Sequence, residues 1–344
     1  MIYKIIIDPN HKIVYSSFYI KGLMDVFGER NIAYSSKYFF ELKGKTESNS
    51  FDHYFAFVLI DFKRNTLKKI VVDYRDKQSI KKNAYKWCDV YAKINYSLSS
   101  TPEAFRSKII SIPPSFGIQI YGLSKTIFYG IVNLCKSFSR LNTSIRLFLA
   151  NYKGQFLRPD LAQYKPQNSD NYYLFFISSI WQHENCITNT NVERSSFIRE
   201  CKNNQSIKFE GGLFALPSNP QYNLYSDIVF SKRYSYLEYI KNTHKSIFVF
   251  NTPSVHECHG WKLGEFLAMG KAIISYPILN DLPEPLVHGQ NIHIVSNESE
   301  LKSAIRTLVE DKVYRTKLEN GAKAYYEKYC SPTSVIKRIL NLIE

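Results

Sequence analysis

The sequence has no C-x-x-C pair; its six cysteines, Cys88, Cys135, Cys186, Cys201, Cys258 and Cys330, are scattered. In a chain of 344 residues this excludes a dense disulfide framework and fits reduced thiols in a cytosolic protein. No apolar run approaches the roughly 18 residues of a membrane-spanning helix. The opening MIYKIIIDPNHK turns polar too early for a signal peptide. D-x-D is absent, the nearest pair being Asp73 and Asp76, so an acidic pair carrying a metal is not indicated. The segment after the first apolar run, DPNHKIVYSS, has no glycine. Acidic residues are missing between Glu103 and Asp160, a stretch that holds eight Lys and Arg.

That last gap locates the charge. The formal net charge is +15, and residues 1–170 hold 26 Lys+Arg against 13 Asp+Glu, whereas 171–344 hold 19 against 17. A basic first half suits an anionic surface, either phospholipid or nucleic acid. Residues 118–157 lack strand punctuation and read as helical, with Lys125, Lys136, Arg140, Arg146 and Lys153 set among Phe and Tyr. Amphipathic helices of this kind would lie on anionic lipid, cations at the headgroups and rings just below. Cations interleaved with rings also suit nucleic acid, but no nucleic-acid-binding motif accompanies them and that partner is not expected.

Hydrophobic residues make up 44% of the chain, enough for two cores, and the length favours two domains. Short apolar runs alternate with helical spacing. YKIIID (3–8), YFAFVLI (54–60), KIVVDY (69–74), VYAKINYS (90–97) and KIISIP (108–113) read as strands covered on both faces, and the β-α-β rhythm predicts a parallel, doubly wound sheet. A polar, proline-bearing stretch at 157–171 reads as a linker. A second α/β series begins at YYLFFISSI (172–180), with strands also at 206–214, 246–251, 272–277 and 291–295. Ser331 and Pro332 open a last helix. Asp8 and His11 follow the first strand, and Asp73 and Arg75 another; all four read as polar loop residues.

The most informative stretch is HECHGWKLGEFLAMGKAIIS, 256–275. Glu257 lies in the loop after strand 246–251, Gly260 begins a helix, and Gly270 closes it. Ligands of open α/β sheets sit at the carboxyl ends of the strands. A helix start there offers N–H groups and the positive end of a dipole to a phosphate. Gly260 would let the backbone come close, and Lys262 adds a cation. Glu265, two turns beyond Glu257, can accept from two ribose hydroxyls. One carboxylate before the helix and one within it would then share a pocket and hold opposite ends of a nucleotide-sugar. His256, Cys258 and His259 invite a zinc reading, but their spacing matches no familiar site and no fourth ligand is near.

Glu257, seven intervening residues, then Glu265 and EFLAMGKAIIS resemble the E-x7-E signature of retaining, family-four-like glycosyltransferases of the GT-B fold, the type that builds bacterial surface polysaccharide. The likeness continues through PEPLVHGQNIHIV (283–295) and into 298–332. It implies an α/β chain of two Rossmann-like, doubly wound domains facing across a cleft. Residues 1–165, including the basic aromatic part 118–157, would bind acceptor. Residues 166–330 would bind the nucleotide-sugar, and a helix at 331–344 would cross back to the first domain. It further implies that Glu257 contacts the transferring sugar, that Glu265 binds ribose, and that backbone around His259, Gly260, Trp261 and Lys262 binds the phosphates. His256, from its place beside Glu257, reads either as a group orienting sugar or acceptor or as an ordinary loop histidine. Members usually carry an Arg and a Lys after the first strand of the second domain. Here WQHENCITNTNVER follows instead, and Arg194, Lys208 and Lys262 are the candidate cations.

The activity so implied is transfer of a sugar from a UDP- or GDP-sugar to a glycan or lipid-linked hydroxyl, with retention. It would serve lipopolysaccharide, capsule or exopolysaccharide assembly, without metal or other cofactor, on the cytoplasmic face of the membrane. The alternatives are a catalytically inactive sugar-nucleotide-binding relative and, further off, a basic nucleic-acid-binding protein.

Overall fold

The computed structural model describes residues 2–42, 54–141, 143–170 and 172–342. They fall into two compact units, one drawn from Met1–Leu161, Asp281–Pro283 and Tyr329–Glu344, the other from Ala162–Asn280 and Glu284–Lys328. Both are α/β, as the alternating apolar runs predict.

In the first unit β1 (Tyr3–Ile7) leads into α1 (Ile13–Phe27) and then β2 (Ile32–Tyr34). There follow β3 (Tyr54–Asp61), β4 (Thr66–Asp73), a short α2 (Lys82–Trp87), β5 (Val90–Lys93) and β6 (Ile109–Ser111). Two helices, α3 (Leu123–Ser137) and α4 (Ile145–Phe156), complete the series. The sheet order is β2-β1-β3-β4-β5-β6. It is mixed, which corrects the expectation of a parallel sheet: β3 runs antiparallel to both β1 and β4. The cause is local. Asp61 Oδ1 accepts from the backbone N–H of Lys63 (2.9 Å) and Arg64 (3.1 Å), and Asn65 has φ 51°. Side-chain capping and a left-handed Asn make a tight hairpin and leave no room for a crossover helix.

The polar residues after β1 and β4 are not solvated loops, a second correction. Asp8 is buried and accepts both Nη atoms of Arg140, at 2.8 and 3.0 Å. His11 is buried, and its ring stays neutral because burial lowers its pKa to about 4. Asp73 is buried with Arg75 (2.7 Å), Lys93 (3.1 Å) and the Tyr91 hydroxyl (2.5 Å) around its carboxylate.

The second unit opens with β7 (Tyr173–Ser179), followed by α5 (Asn191–Asn203), β8 (Lys208–Phe214), α6 (Tyr236–Lys245) and β9 (Val249–Asn251). Then come α7 (Trp261–Ala268), β10 (Ile273–Ser275), β11 (His293–Ile294), α8 (Glu298–Glu310) and α9 (Lys312–Tyr325). β7 and β8 are parallel, as are β9, β10 and β11. The Ile247 N–H donating to Tyr173 O (2.9 Å) and the Phe175 N–H donating to the Ser246 hydroxyl (2.8 Å) tie the two pieces together. The spatial order β8-β7-β9-β10-β11 is that of a Rossmann-like half. One apolar core runs from Leu174 and Phe176 through Phe197 and Phe250 to Leu301 and Leu318. Gly211 has φ 125°, and a Cβ there would lie 2.0 Å from Phe176 O, so only glycine lets β8 close on β7 here.

The last helix, α10 (Pro332–Leu340), is capped by Ser331, whose Oγ accepts from the Ser334 N–H at 3.2 Å. It packs on α1 within the first unit. The end of the 331–344 segment, 343–344, lies outside the described residues.

Candidate functional site

In a parallel sheet every strand delivers its carboxyl end to the same edge. β7 ends at Ser179, β8 at Phe214 and β9 at Asn251, and two adjoining cavities open there, both within the second unit. The larger, about 590 Å³, is walled by Ile177–Ser179, Trp181, Phe214, Phe230, Lys232–Tyr234, Tyr239 and Lys262. The smaller, about 160 Å³, is walled by Arg194, Thr252, Ser254, Gly260, Trp261 and Lys262 among others. Ser178, Trp181 and Lys262 belong to both. An aromatic chamber beside a small cationic one matches the division of a nucleotide into a ring system and its phosphates.

The cations come from two directions. Arg194 is buried on α5; its Nε donates to Thr252 Oγ1 at 3.0 Å. Burial lowers its pKa to about 10. Lys262, in the first turn of α7, donates from Nζ to Ile177 O and stands 4.7 Å over the Phe176 ring. Burial and the charge of Arg194 lower its pKa to about 7, against the opposing pull of Glu265. Gly260, Trp261 and Lys262 all line the smaller cavity, so the positive end of α7 faces it as well. Among the described residues no carboxylate forms an ion pair with either cation.

The structure brings together Arg194, Lys262, Gly260 and Trp261. It departs from the sequence reading at four points. Lys208 starts β8 at the amino edge, six residues from Phe214 and so about 20 Å from the cavities by strand rise; it is no candidate for the clamp. His259 is buried and lines neither cavity, and burial outweighs its bond to the Asn280 backbone to lower its pKa to about 4. Gly260 has an ordinary φ of −76°, and a Cβ there would meet nothing within 4 Å; it leaves space and provides no special backbone.

The fourth point concerns the two glutamates, which do not share a pocket wall. Glu265 is buried behind the larger cavity, where Oε2 accepts from the Tyr239 hydroxyl at 3.0 Å, and Tyr239 itself forms the wall. Glu257 is exposed in the turn before α7.

That turn is strained. His256 and Glu257 both sit in the left-handed region, at φ 57° and 59°, where side chains other than glycine are disfavoured. Hydrogen bonds from distant chain fix it. The His256 N–H donates to Asn185 Oδ1 (3.2 Å), Asn185 Nδ2 donates to Ser254 O (3.0 Å), and Asn280 Nδ2 donates to Glu257 O (2.8 Å). The His256 ring meets His183 edge to face, 4.2 Å between centroids. Among the described residues no three His, Cys, Asp or Glu side chains converge to hold a metal ion.

Sequence reasoning missed the aromatic wall. FSKRYSYLEY, 230–239, supplies Phe230, Lys232, Arg233, Tyr234 and Tyr239. Its mixture of rings and cations was visible, but nothing local says that it returns to the edge of β7. Glu210 steadies it by accepting from Tyr234 (2.8 Å) and Tyr173 (2.8 Å).

No family model matches the sequence, and no curated protein matches it. Among solved structures it is similar to TarM, with 14% identity over 79% of this chain and 48% of that one, TM-score 0.45. It is also similar to the C-terminal domain of a glycosyl transferase group 1 family protein (LpcC) from Francisella tularensis, with 14% identity over 49% of this chain and 96% of that one, TM-score 0.38. A third is Anabaena HepE in complex with UDP and glucose, with 13% identity over 76% of this chain and 64% of that one, TM-score 0.43. The chain thus spans about half the length of TarM.

Proposed function

We propose that the protein is a glycosyltransferase of the GT-B kind, moving a sugar from a UDP- or GDP-sugar to a hydroxyl of a glycan or lipid-linked acceptor. The observation that carries this reading is the convergence of Arg194, Lys262 and the positive end of α7 on a cavity of about 160 Å³, beside an aromatic chamber of about 590 Å³. A diphosphate in the first and a nucleoside in the second would satisfy the unpaired cations and the open ring faces together. As the anomeric bond breaks, charge grows on the leaving diphosphate, and fixed cations aimed at it lower the barrier without rearrangement. Glu257, with His256, would meet the transferring sugar, and Glu265 would act on the nucleoside side through the Tyr239 hydroxyl that it accepts from. Transfer would proceed with retention and without metal, in surface-polysaccharide or lipopolysaccharide assembly on the cytoplasmic face of an anionic membrane.

One observation favours a second reading, an inactive sugar-nucleotide binder: neither Glu257 nor Glu265 lines either of these two cavities. The two separate by experiment. A thermal-shift panel of UDP-, GDP-, ADP- and CMP-sugars should show stabilisation by one of them, growing with occupancy. Nucleoside diphosphate should then be released with acceptor present, and Glu257→Ala should stop release while leaving the shift. Stabilisation with no release in the parent chain selects the binder. No shift with any of the four sinks both readings.

A further inference from the structure

Helix α3 is turned inside out. Positions 126, 130, 133 and 137 of α3 share one face; they are Thr126, Gly130, Asn133 and Ser137, and all are buried. The outer seam beside it, Leu123, Ile127, Phe128 and Ile131 with Phe138 just beyond, is 55–66% exposed. An ordinary surface helix sets these two groups the other way round. The orientation is fixed from beneath. Thr126 Oγ1 donates to Tyr121 O (3.2 Å), and Asn133 Nδ2 donates to the Tyr152 hydroxyl of α4 (2.8 Å). A Cβ on Gly130 would stand 3.5 Å from the Tyr152 ring, ordinary contact distance, so α3 packs directly on α4 at this point. On α4 the inner face is mixed, with Phe148 and Tyr152 buried beside Asn151 and Gln155, and Ile145, Leu147 and Leu149 again lie outside.

Charge selects what covers this face. Lys125, Lys136, Arg146 and Lys153 are exposed around it, and the sequence has no Asp or Glu from 104 to 159. Lys125 reaches outside the hairpin for its partner, Glu29. A second copy would set these cations against each other. An anionic bilayer meets both features, headgroups facing the cations and acyl chains the apolar seam. We propose that the α3–α4 hairpin inserts its exposed apolar seam into one leaflet of an anionic phospholipid bilayer, with Phe128 and Ile131 at its centre. The inference stands on the first unit alone and does not need the transferase reading.

The test is co-sedimentation of the full chain with phosphatidylcholine–phosphatidylglycerol vesicles and with phosphatidylcholine vesicles alone. Binding is expected to the first and far less to the second. Phe128→Ser with Ile131→Ser should lower the partition coefficient about a hundredfold, roughly tenfold for each side chain withdrawn from the leaflet. Arg146→Gln with Lys153→Gln should lower it about thirtyfold and flatten its salt dependence. Val313→Ser, at an equally apolar exposed position on α9, should change nothing. Leu123→Ser with Ile127→Ser repeats the test should the first pair unfold the protein. Equal binding to both vesicle types, no binding, or binding unchanged in the seam variants overturns the proposal. So does a vesicle-free dimer that Phe128→Ser with Ile131→Ser converts to monomer, which would assign the face to a second copy.

Discussion

Lys262 gives the sharpest test of the site, because substituting it should move stability and affinity in opposite directions. In water a lysine ammonium titrates near 10.5; here it falls to about 7. Holding the buried group therefore costs the empty protein roughly 4 kcal/mol at neutral pH, an upper bound that local water and the Ile177 carbonyl reduce. Lys262→Met keeps the contact with Phe176 and removes that cost. With about half of it recovered, the second unit should gain about 2 kcal/mol, a rise of roughly 4–8 °C in Tm. A cation bonded to a diphosphate is worth about 1.5–3 kcal/mol, so UDP or GDP affinity should fall roughly 10- to 150-fold. Differential scanning calorimetry gives the first quantity and isothermal titration with the two nucleotides the second. A structural lysine, tying α7 to β7 through Ile177 O, would behave otherwise. Its loss would lower Tm and leave nucleotide affinity unchanged, and that result would refute the reasoning.

Two further outcomes follow from the same loop and the same lysine. Glu257→Gly should be more stable than Glu257→Ala by about 1 kcal/mol, since glycine accepts φ 59° without strain, yet both should lose sugar transfer; equal melting temperatures would show that the turn stores nothing. Nucleotide binding should weaken as pH rises from about 7 toward 9. The folded-state pKa of Lys262 lies below its unfolded value, so folding releases a proton between about 7 and 10.5, and stability rises with pH across that window. A bound diphosphate draws the pKa back up, so binding takes up a proton. Titrations in buffers of different ionisation heat should detect that uptake, and Lys262→Met should abolish it.

What could be read from the sequence were features decided within a few residues. The apolar run 172–180 became β7, and the helix from Gly260 became α7, closed by Gly270 at φ 59°. Arg194 could be chosen because it opens a helix after the first strand of its unit, and the structure sets it beside Lys262. What escaped depended on distant partners or on choosing between equal patterns. The β3–β4 hairpin was legible in DFKRNT, but the rhythm of alternating elements argued louder. The left-handed pair His256–Glu257 carries no glycine or asparagine to announce it; Asn185, 71 positions away, and Asn280 hold it. In α3, helical periodicity defines two seams and says nothing of which faces inward. That choice was made by Tyr152 and Asn133, through a hydrogen bond between helices.

The buried cations of this protein explain why the small cavity, more than the spacing of the two glutamates, supports the reading. Taking a cation out of water costs several kcal/mol unless something nearby offsets it. Arg140 has Asp8, and Arg75 and Lys93 have Asp73. Burial pushes the Asp73 carboxyl up, and the two cations outweigh it and hold it below its ordinary value. Lys271 donates to His244 O (3.0 Å) in the last turn of α6, and Arg315 to Val309 O (3.3 Å) in the last turn of α8. Each lies at the negative end of a helix. Arg194 and Lys262 have no such ion pair and no negative helix end; the charges of Glu193 and Glu265 act on them only from beyond salt-bridge distance. Their acceptors are a threonine hydroxyl and a strand carbonyl, and the helix end they face is the positive one. Three sources of positive potential face one cavity, and burial, the largest cause in each case, lowers Lys262 to about 7 and Arg194 to about 10. A ligand that complements them must bring negative charge on a group small enough for about 160 Å³, joined to one that fills the aromatic chamber beside it. A nucleoside diphosphate has that form, whether or not Glu257 and Glu265 touch it.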